Sequence, residues 1–230
     1  MAIYAIGDLH LSLGVDKPMD IFGQHWIDHH KKIKKIWLEM IKDDDLVLIP
    51  GDTSWAMNMN EAMVDLEWIH TLPGQKIFIR GNHDYWWSAV TKMNKLFEDM
   101  KFLQNNYYPY EKYAICGTRG WLCPNDHKFT EHDQKIYERE QHRLRLSIDA
   151  AIKAGYSDLL VMTHYPPTND QLEPSEFTKI YEEYGVKKVI YGHLHGKDSF
   201  GGGLQGEKND VFYYLTSCDA LDFKPLKILE

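Results

Sequence analysis

The sequence predicts an α/β fold, and three observations carry that expectation. Strand-like apolar runs alternate with helix-like stretches along most of the chain. Those runs are continuously apolar, as at residues 46–49, which implies strands covered on both faces. After residue 191 little helix separates the remaining strand-like runs, which suggests an antiparallel portion.

The elements follow in order. Residues 3–6 read as a strand. Residues 24–42 read as a helix with Trp26, Ile33, Trp37, Met40 and Ile41 on one face. Residues 46–49 are a short strand, and residues 61–70 a helix that ends before Pro73-Gly74. Residues 76–79 are a strand, 88–98 a helix and 113–116 a strand. Residues 132–154 form the longest helix, closed by Gly155. Residues 159–162 and 188–191 are strands with a helix near 175–184 between them, and 211–215 is a strand. The Gly201-Gly202-Gly203 run lacks a strand-then-helix setting and reads as a loop, not a phosphate cradle.

A chain of 230 residues with 43% hydrophobic and 26% charged residues fits a single domain, 1–230, with a sizeable core. Its net charge of −8, without a Lys/Arg-rich run, argues against a stable nucleic-acid partner but leaves a nucleotide substrate open. Cys116, Cys123 and Cys218 form no C-x-x-C pair and read as small buried hydrophobes in a reducing compartment. No basic leader or long apolar stretch is visible, so no membrane association is expected and the cytoplasm is the expected location.

Five short runs each end a strand-like stretch: Gly7-Asp8-Leu9-His10, Gly51-Asp52, Gly81-Asn82-His83-Asp84, Thr163-His164 and Gly192-His193-Leu194-His195. Ligands of open α/β sheets bind beyond the carboxyl ends of strands, so these distant residues can converge. Carboxylate, imidazole and amide suit first-row divalent metals. Imidazoles and an amide fill coordination positions without adding negative charge. With only Asp8 and Asp52 anionic, two divalent cations leave a net positive site, suited to an anionic ester.

The order D-x-H, G-D, G-N-H-D, H, G-H-x-H, spanning residues 8–195, resembles the calcineurin-like metallophosphoesterase superfamily. The resemblance implies an αββα sandwich of two mixed β-sheets flanked by helices. It implies two divalent ions (Mn, Fe or Zn), one bound by Asp8, His10 and His195 and the other by Asn82, His164 and His193, with Asp52 bridging. His83 would face the scissile phosphate as acid or transition-state stabiliser, and Asp84 would orient His83. A hydroxide bridging the metals would attack phosphorus in line. The expected function is hydrolysis of a phosphate ester, first a small phosphorylated monoester. A phosphodiesterase or nuclease on the same core is the alternative, and a non-catalytic scaffold for partner proteins ranks last, because Asn82, His83 and Asp84 are all present. The residues choose neither the substrate nor the oligomeric state.

Other residues bear on substrate. Trp55 and Trp121 sit beside loops and offer rings for stacking, whereas Tyr85, Trp86, Trp87 and Tyr165 read mostly as packing beneath the site. Arg119, in Gly117-Thr118-Arg119-Gly120, reads either as a phosphate clamp or as a surface arginine. Loop segments 11–23, 122–131, 166–174 and 199–210 would form the wall that sets specificity. Seven histidines lie outside the motifs: His25, His29, His30, His70, His127, His132 and His142. His25 and His29 have i, i+4 spacing but no clear third ligand, so no second metal site is expected there.

Overall fold

The computed structural model of the chain describes residues 1–125 and 128–230. His127 and part of the 122–131 loop therefore lie outside the described residues. Two sheets form the centre. The first contains β1 (Ile3–Ala5), β2 (Leu46–Ile49), β3 (Gln75–Phe78), β4 (Met100–Phe102) and β11 (Leu226–Leu229), in the order β11-β1-β2-β3-β4. The second contains β5 (Tyr108–Tyr110), β6 (Tyr113–Thr118), β7 (Asp158–Thr163), β8 (Lys188–Tyr191), β9 (Gly206–Lys208) and β10 (Val211–Leu215), in the order β5-β6-β7-β8-β10-β9. The helices are α1 (His29–Met40), α2 (Met59–His70), α3 (Val90–Met93), α4 (Glu131–Lys153) and α5 (Glu176–Glu183).

Period-2 alternation sends neighbouring residues of each strand into different layers. Ile3, Ala5, Leu46, Leu48 and Ile77 of the first sheet meet Ile115, Leu160, Met162 and Ile190 of the second. The intervening Tyr4, Val47, Ile49 and Phe78 pack on Ile33 and Trp37 of α1 and on Leu66 and Ile69 of α2. On the far side, Ala114, Cys116, Val161 and Val189 pack on Leu144 and Ile148 of α4 and on Phe177 and Ile180 of α5. Three apolar layers separate four structural ones, which makes an αββα sandwich. Both strand faces are buried, which explains the continuously apolar runs. All three cysteines are buried and free. Among the described residues, no helix is long and apolar enough to cross a membrane.

Several expectations need correction. The 24–42 helix begins only at His29: Gln24–Trp26 is a 3-10 turn, and Asp28 takes a left-handed backbone conformation, φ 52°, that breaks the helical run. Trp26 still reaches the same core as Ile33 and Trp37. The 88–98 helix shrinks to α3, because Asn94 turns its amide to β4, accepting from the Phe102 N–H at 2.7 Å. The antiparallel portion expected after residue 191 is present. β10 runs parallel to β8, while β9 and β11 are antiparallel to their neighbours. The longest helix does close at Gly155, φ 93°, and a Thr130/Asp133 capping box opens it. The Gly201–Gly203 segment is a 3-10 turn running into a loop, as expected.

One buried charge anchors the strand that delivers the third motif. Lys76 of β3 is 1% exposed on the helix side of the sheet. Its ammonium donates to the Asp99 carboxylate at 2.6 Å and to the Leu72 carbonyl, while His70 shares the same carboxylate. Removing Asp99 strands a cation in an apolar layer. Asp99→Asn is expected to lower the unfolding free energy by about 3 kcal/mol, and Lys76→Met by less than about 1 kcal/mol. Urea denaturation of both variants checks this ordering.

Candidate metal centre

All five motifs leave the carboxyl ends of strands, and the seam between the two sheets brings them together. Asp8 and His10 follow β1, Asp52 follows β2 and Asn82 follows β3, all in the first sheet. His164 follows β7, and His193 and His195 follow β8, in the second. Backbone links hold the seam: the Gly7 N–H donates to the Thr216 carbonyl at 2.7 Å, and the Cys218 N–H to the Gly7 carbonyl at 3.0 Å.

The turns are tight enough to require unusual backbone. Asp8, His10, Asp52 and His193 all have positive φ, from 43° to 75°. Such conformations cost energy in non-glycine residues and collect at functional sites. Two glycines make room for the carboxylates. A Cβ on Gly81 would collide with the Asp52 carboxylate, and one on Gly192 with that of Asp8.

The seven expected ligands form one cluster. His10 Nε2 and His195 Nε2 face each other at 3.1 Å, and His195 Nε2 lies 3.5 Å from an Asp8 oxygen. On the other side His164 Nε2 faces Asn82 Oδ1 at 2.7 Å and His193 Nδ1 at 3.2 Å. Asp52 Oδ2 lies between the groups, 3.8 Å from His10 Nε2 and 3.4 Å from His164 Nε2. Asp8, His10 and His195 form one candidate metal-holding group, and Asp8, Asp52 and His164 another. Two nitrogens bound to one cation at about 2.0–2.1 Å stand about 3.0–3.4 Å apart. The His10–His195 and His164–His193 separations therefore fit a ligand edge.

Neighbouring groups fix the ring orientations. His164 Nδ1 sits 3.0 Å from the Pro50 carbonyl, so its N–H donates there and Nε2 keeps a lone pair toward the cluster. His195 Nδ1 lies 3.0 Å from Asp219 Oδ1, so its N–H donates there and Nε2 is aimed into the cluster. The other Asp219 oxygen accepts from the Gly196 N–H at 2.9 Å. Asp219 belongs to no motif. It follows β10, and a lone aspartate beyond an apolar strand was its only sequence signal.

Electrostatics divide the buried carboxylates. Burial opposes ionisation of Asp8, but the hydrogen bond and charge of His195, with His164 and His10, hold its carboxyl well below the usual range. Burial and the Asp8 charge push Asp52 up to about 8. Burial alone would lower His195, yet the Asp219 and Asp8 carboxylates push it up to about 10. Burial lowers His10, His164 and His193.

The remaining site residues fall into two groups. His83 is half-buried at the mouth, and its N–H donates to Asp52 Oδ1 at 2.8 Å. The Trp55 ring lies 4.5 Å from the His83 ring and stacks on His10 at 4.7 Å. Asp84 does not orient the His83 ring. Its carboxylate is occupied by the N–H groups of Asp52, Thr53, Ser54 and Gly81 and by the Trp86 indole, at 2.7 to 3.3 Å. This buried acid therefore staples the second motif to the third. Trp121 does not present a free face: the Arg119 guanidinium covers it at 4.5 Å, Tyr165 packs beside it and its N–H donates to Asp133. His29 is similarly engaged, with its ring nitrogens at the Trp26 and Leu9 carbonyls, which agrees with no metal at His25/His29.

Two predictions follow from this geometry. At pH 7 the metal-free centre holds a proton on Asp52 and an extra one on His195. Both groups must lose these protons to ligate, so loading the centre should release about two protons and tighten as pH rises. Calorimetry in buffers of different ionisation enthalpy measures the number. Asp219→Ala removes the acceptor that aims His195 and should weaken metal binding about 10- to 100-fold, read by chelator competition.

The comparisons with known proteins agree with this site. The family model described as "Calcineurin-like phosphoesterase" matches residues 1–197. The Gene 66 protein of Mycobacterium phage D29 is 23% identical over 197 residues, covering 85% of this chain and 79% of the phage protein. The phosphopantetheinyl hydrolase PptH of Mycobacterium tuberculosis has a similar fold, with a TM-score of 0.58 at 12% identity over 99% of this chain and 95% of its own. So does a protein of unknown function from Aquifex aeolicus, AQ665, with a TM-score of 0.53 at 17% identity over 98% of this chain and 95% of its own. A strand-end cage of carboxylates, imidazoles and an amide, with a family model that takes in all of its motifs, places this chain in the calcineurin-like phosphoesterase family.

Proposed function

We propose that this chain is a dinuclear-metal hydrolase of small phosphomonoesters. The observation that carries the reading is the convergence of Asp8, His10, Asp52, Asn82, His164, His193 and His195 beneath a cleft that His83 enters. Asp8, His10 and His195 would hold one cation, Asn82, His164 and His193 the other, with Asp52 shared. When bound, such a pair supplies Lewis-acid charge to a phosphoryl group and lowers the pKa of water toward neutrality.

The chain's own residues do the rest. The cleft, of about 330 Å³, is walled by Met19, Phe22, Trp26 and Trp55 beside His10, His83 and His195. Apolar and aromatic walls suit the carbon part of a compact ester, and they exclude water from its leaving side. Burial, then the charges of His164 and His195, lowers the affinity of His83 for a proton. A phosphate dianion in the cleft reverses that effect, because an adjacent anion favours imidazolium. His83 then hydrogen-bonds a phosphoryl oxygen or protonates the departing alkoxide, held in place through its N–H to Asp52. Its tilted contact with Trp55, 53° between the planes, limits its ring to the cleft mouth.

The test is metal-dependent turnover of para-nitrophenyl phosphate against its bis-ester. The monoester should be the better substrate, and a marked preference for the bis-ester would sink the phosphomonoester reading. His83→Ala should keep both metals by elemental analysis while kcat falls about 10²- to 10⁴-fold. Wild-type turnover in that variant would remove His83 from the reaction.

A further inference from the structure

The geometry points to a second phosphate subsite one strand outward from the metal centre, built on Arg80, Arg119, Arg139 and Arg143. The inference rests on the phosphomonoesterase reading for the first phosphate and extends it: the preferred substrate carries two phosphate groups. The four arginines line one cavity of about 210 Å³, together with Thr118 and Glu140.

Charge on these walls is unbalanced. Glu140 is fully buried, and one of its oxygens accepts from Arg139 at 3.2 Å and from Arg143 at 2.9 Å. Its other oxygen takes the Thr118 hydroxyl at 2.6 Å. Four guanidinium groups thus share one carboxylate. Arg80 and Arg119 have no ion pair among the described residues, and the Nε of each is buried without a hydrogen-bond partner. A buried donor without an acceptor is costly, and a guanidinium more so. Burial, and the neighbouring Arg80 and Arg139, weaken the hold of Arg119 on its proton, while Glu140 offsets part of this. A chain with net charge −8 thus concentrates uncompensated positive charge in one recess.

Planar forks of N–H donors match phosphate oxygens, and a dianion in the cavity would supply the counter-charge that Arg80 and Arg119 lack. The position suits a substrate that spans two sites. Arg80 lies two residues before Asn82. Arg119 follows β6, which pairs with β7, and its carbonyl accepts the His164 N–H at 3.0 Å. Its charge also acts on Asp52. Arg139 and Arg143 come from α4, which closes the outer wall.

The experiment uses the full chain loaded with Mn²⁺ and a series of α,ω-alkanediol bisphosphates beside the matching monophosphates. At least one bisphosphate should be preferred in kcat/KM by about 10- to 100-fold, as expected for charge-assisted hydrogen bonds. Arg80→Gln and the surface-anchored Arg139→Gln should each erase most of that preference. No preferred bisphosphate, or a preference that survives both substitutions, overturns the proposal. A second arm titrates inorganic phosphate into the metal-stripped chain, where the arginines alone can hold it. Saturable binding lost in Arg80→Gln supports the subsite, and no binding overturns it. Binding without any bisphosphate preference means the recess takes free phosphate, and the substrate assignment falls. Phosphate binding through Arg80 in a chain that hydrolyses no ester refutes the phosphatase reading and leaves the anion site standing.

Discussion

Two carboxylates buried side by side govern this molecule. Asp8 and Asp52 are each at most 1% exposed. Taking like charges out of water costs several kcal/mol per ion, and only opposite charge or dense hydrogen bonding offsets it. The surroundings answer that demand. The His193 N–H donates to both oxygens of Asp8, and the His83 N–H to Asp52. Left-handed turns at Asp8 and Asp52, and the bare Cα atoms of Gly81 and Gly192, let the two chains approach. What backbone donors leave unbalanced is a place for cations.

The sandwich makes such a place possible. Each sheet alone offers half a ligand set, and the apolar seam between Ile3, Leu48 and Ile77 on one side and Leu160, Met162 and Ile190 on the other fixes the register of the halves. Asp84 ties the loop after β2 to the loop after β3 through five donors, so the ligands of the first sheet move as one body. Asp219 does the corresponding work in the second sheet by holding both His195 and Gly196.

How much of this was legible in the sequence depends on the physics of each part. The inner strands were plain, because burial on both faces leaves an unbroken apolar run, as in Leu46–Ile49. The edge strands were not. β5 contains Pro109, β4 and β9 are three residues long, and β11 is a four-residue strand interrupted by Lys227. The candidate metal ligands were legible because glycine-flanked polar residues stood at strand ends. Asp84 sat within a motif, yet its work was misread: adjacency to His83 suggested a side-chain contact, while the turn aims it at backbone donors. Of the arginine recess only Arg119 gave a local signal, since the recess is assembled from the ends of two strands and a helix far apart in sequence.

The placement of ligands in both sheets carries a consequence for the lifetime of the chain. A cation gripped by Asp8 from one sheet and His195 from the other is a cross-link between halves that otherwise adhere through an apolar seam. Any opening along that seam must first surrender the ion. Stabilisation by a ligand that only the closed form binds grows with the logarithm of its free concentration. With a cation bound there, metal supply would set how often the halves part, and with it the rate at which degrading enzymes find an open molecule.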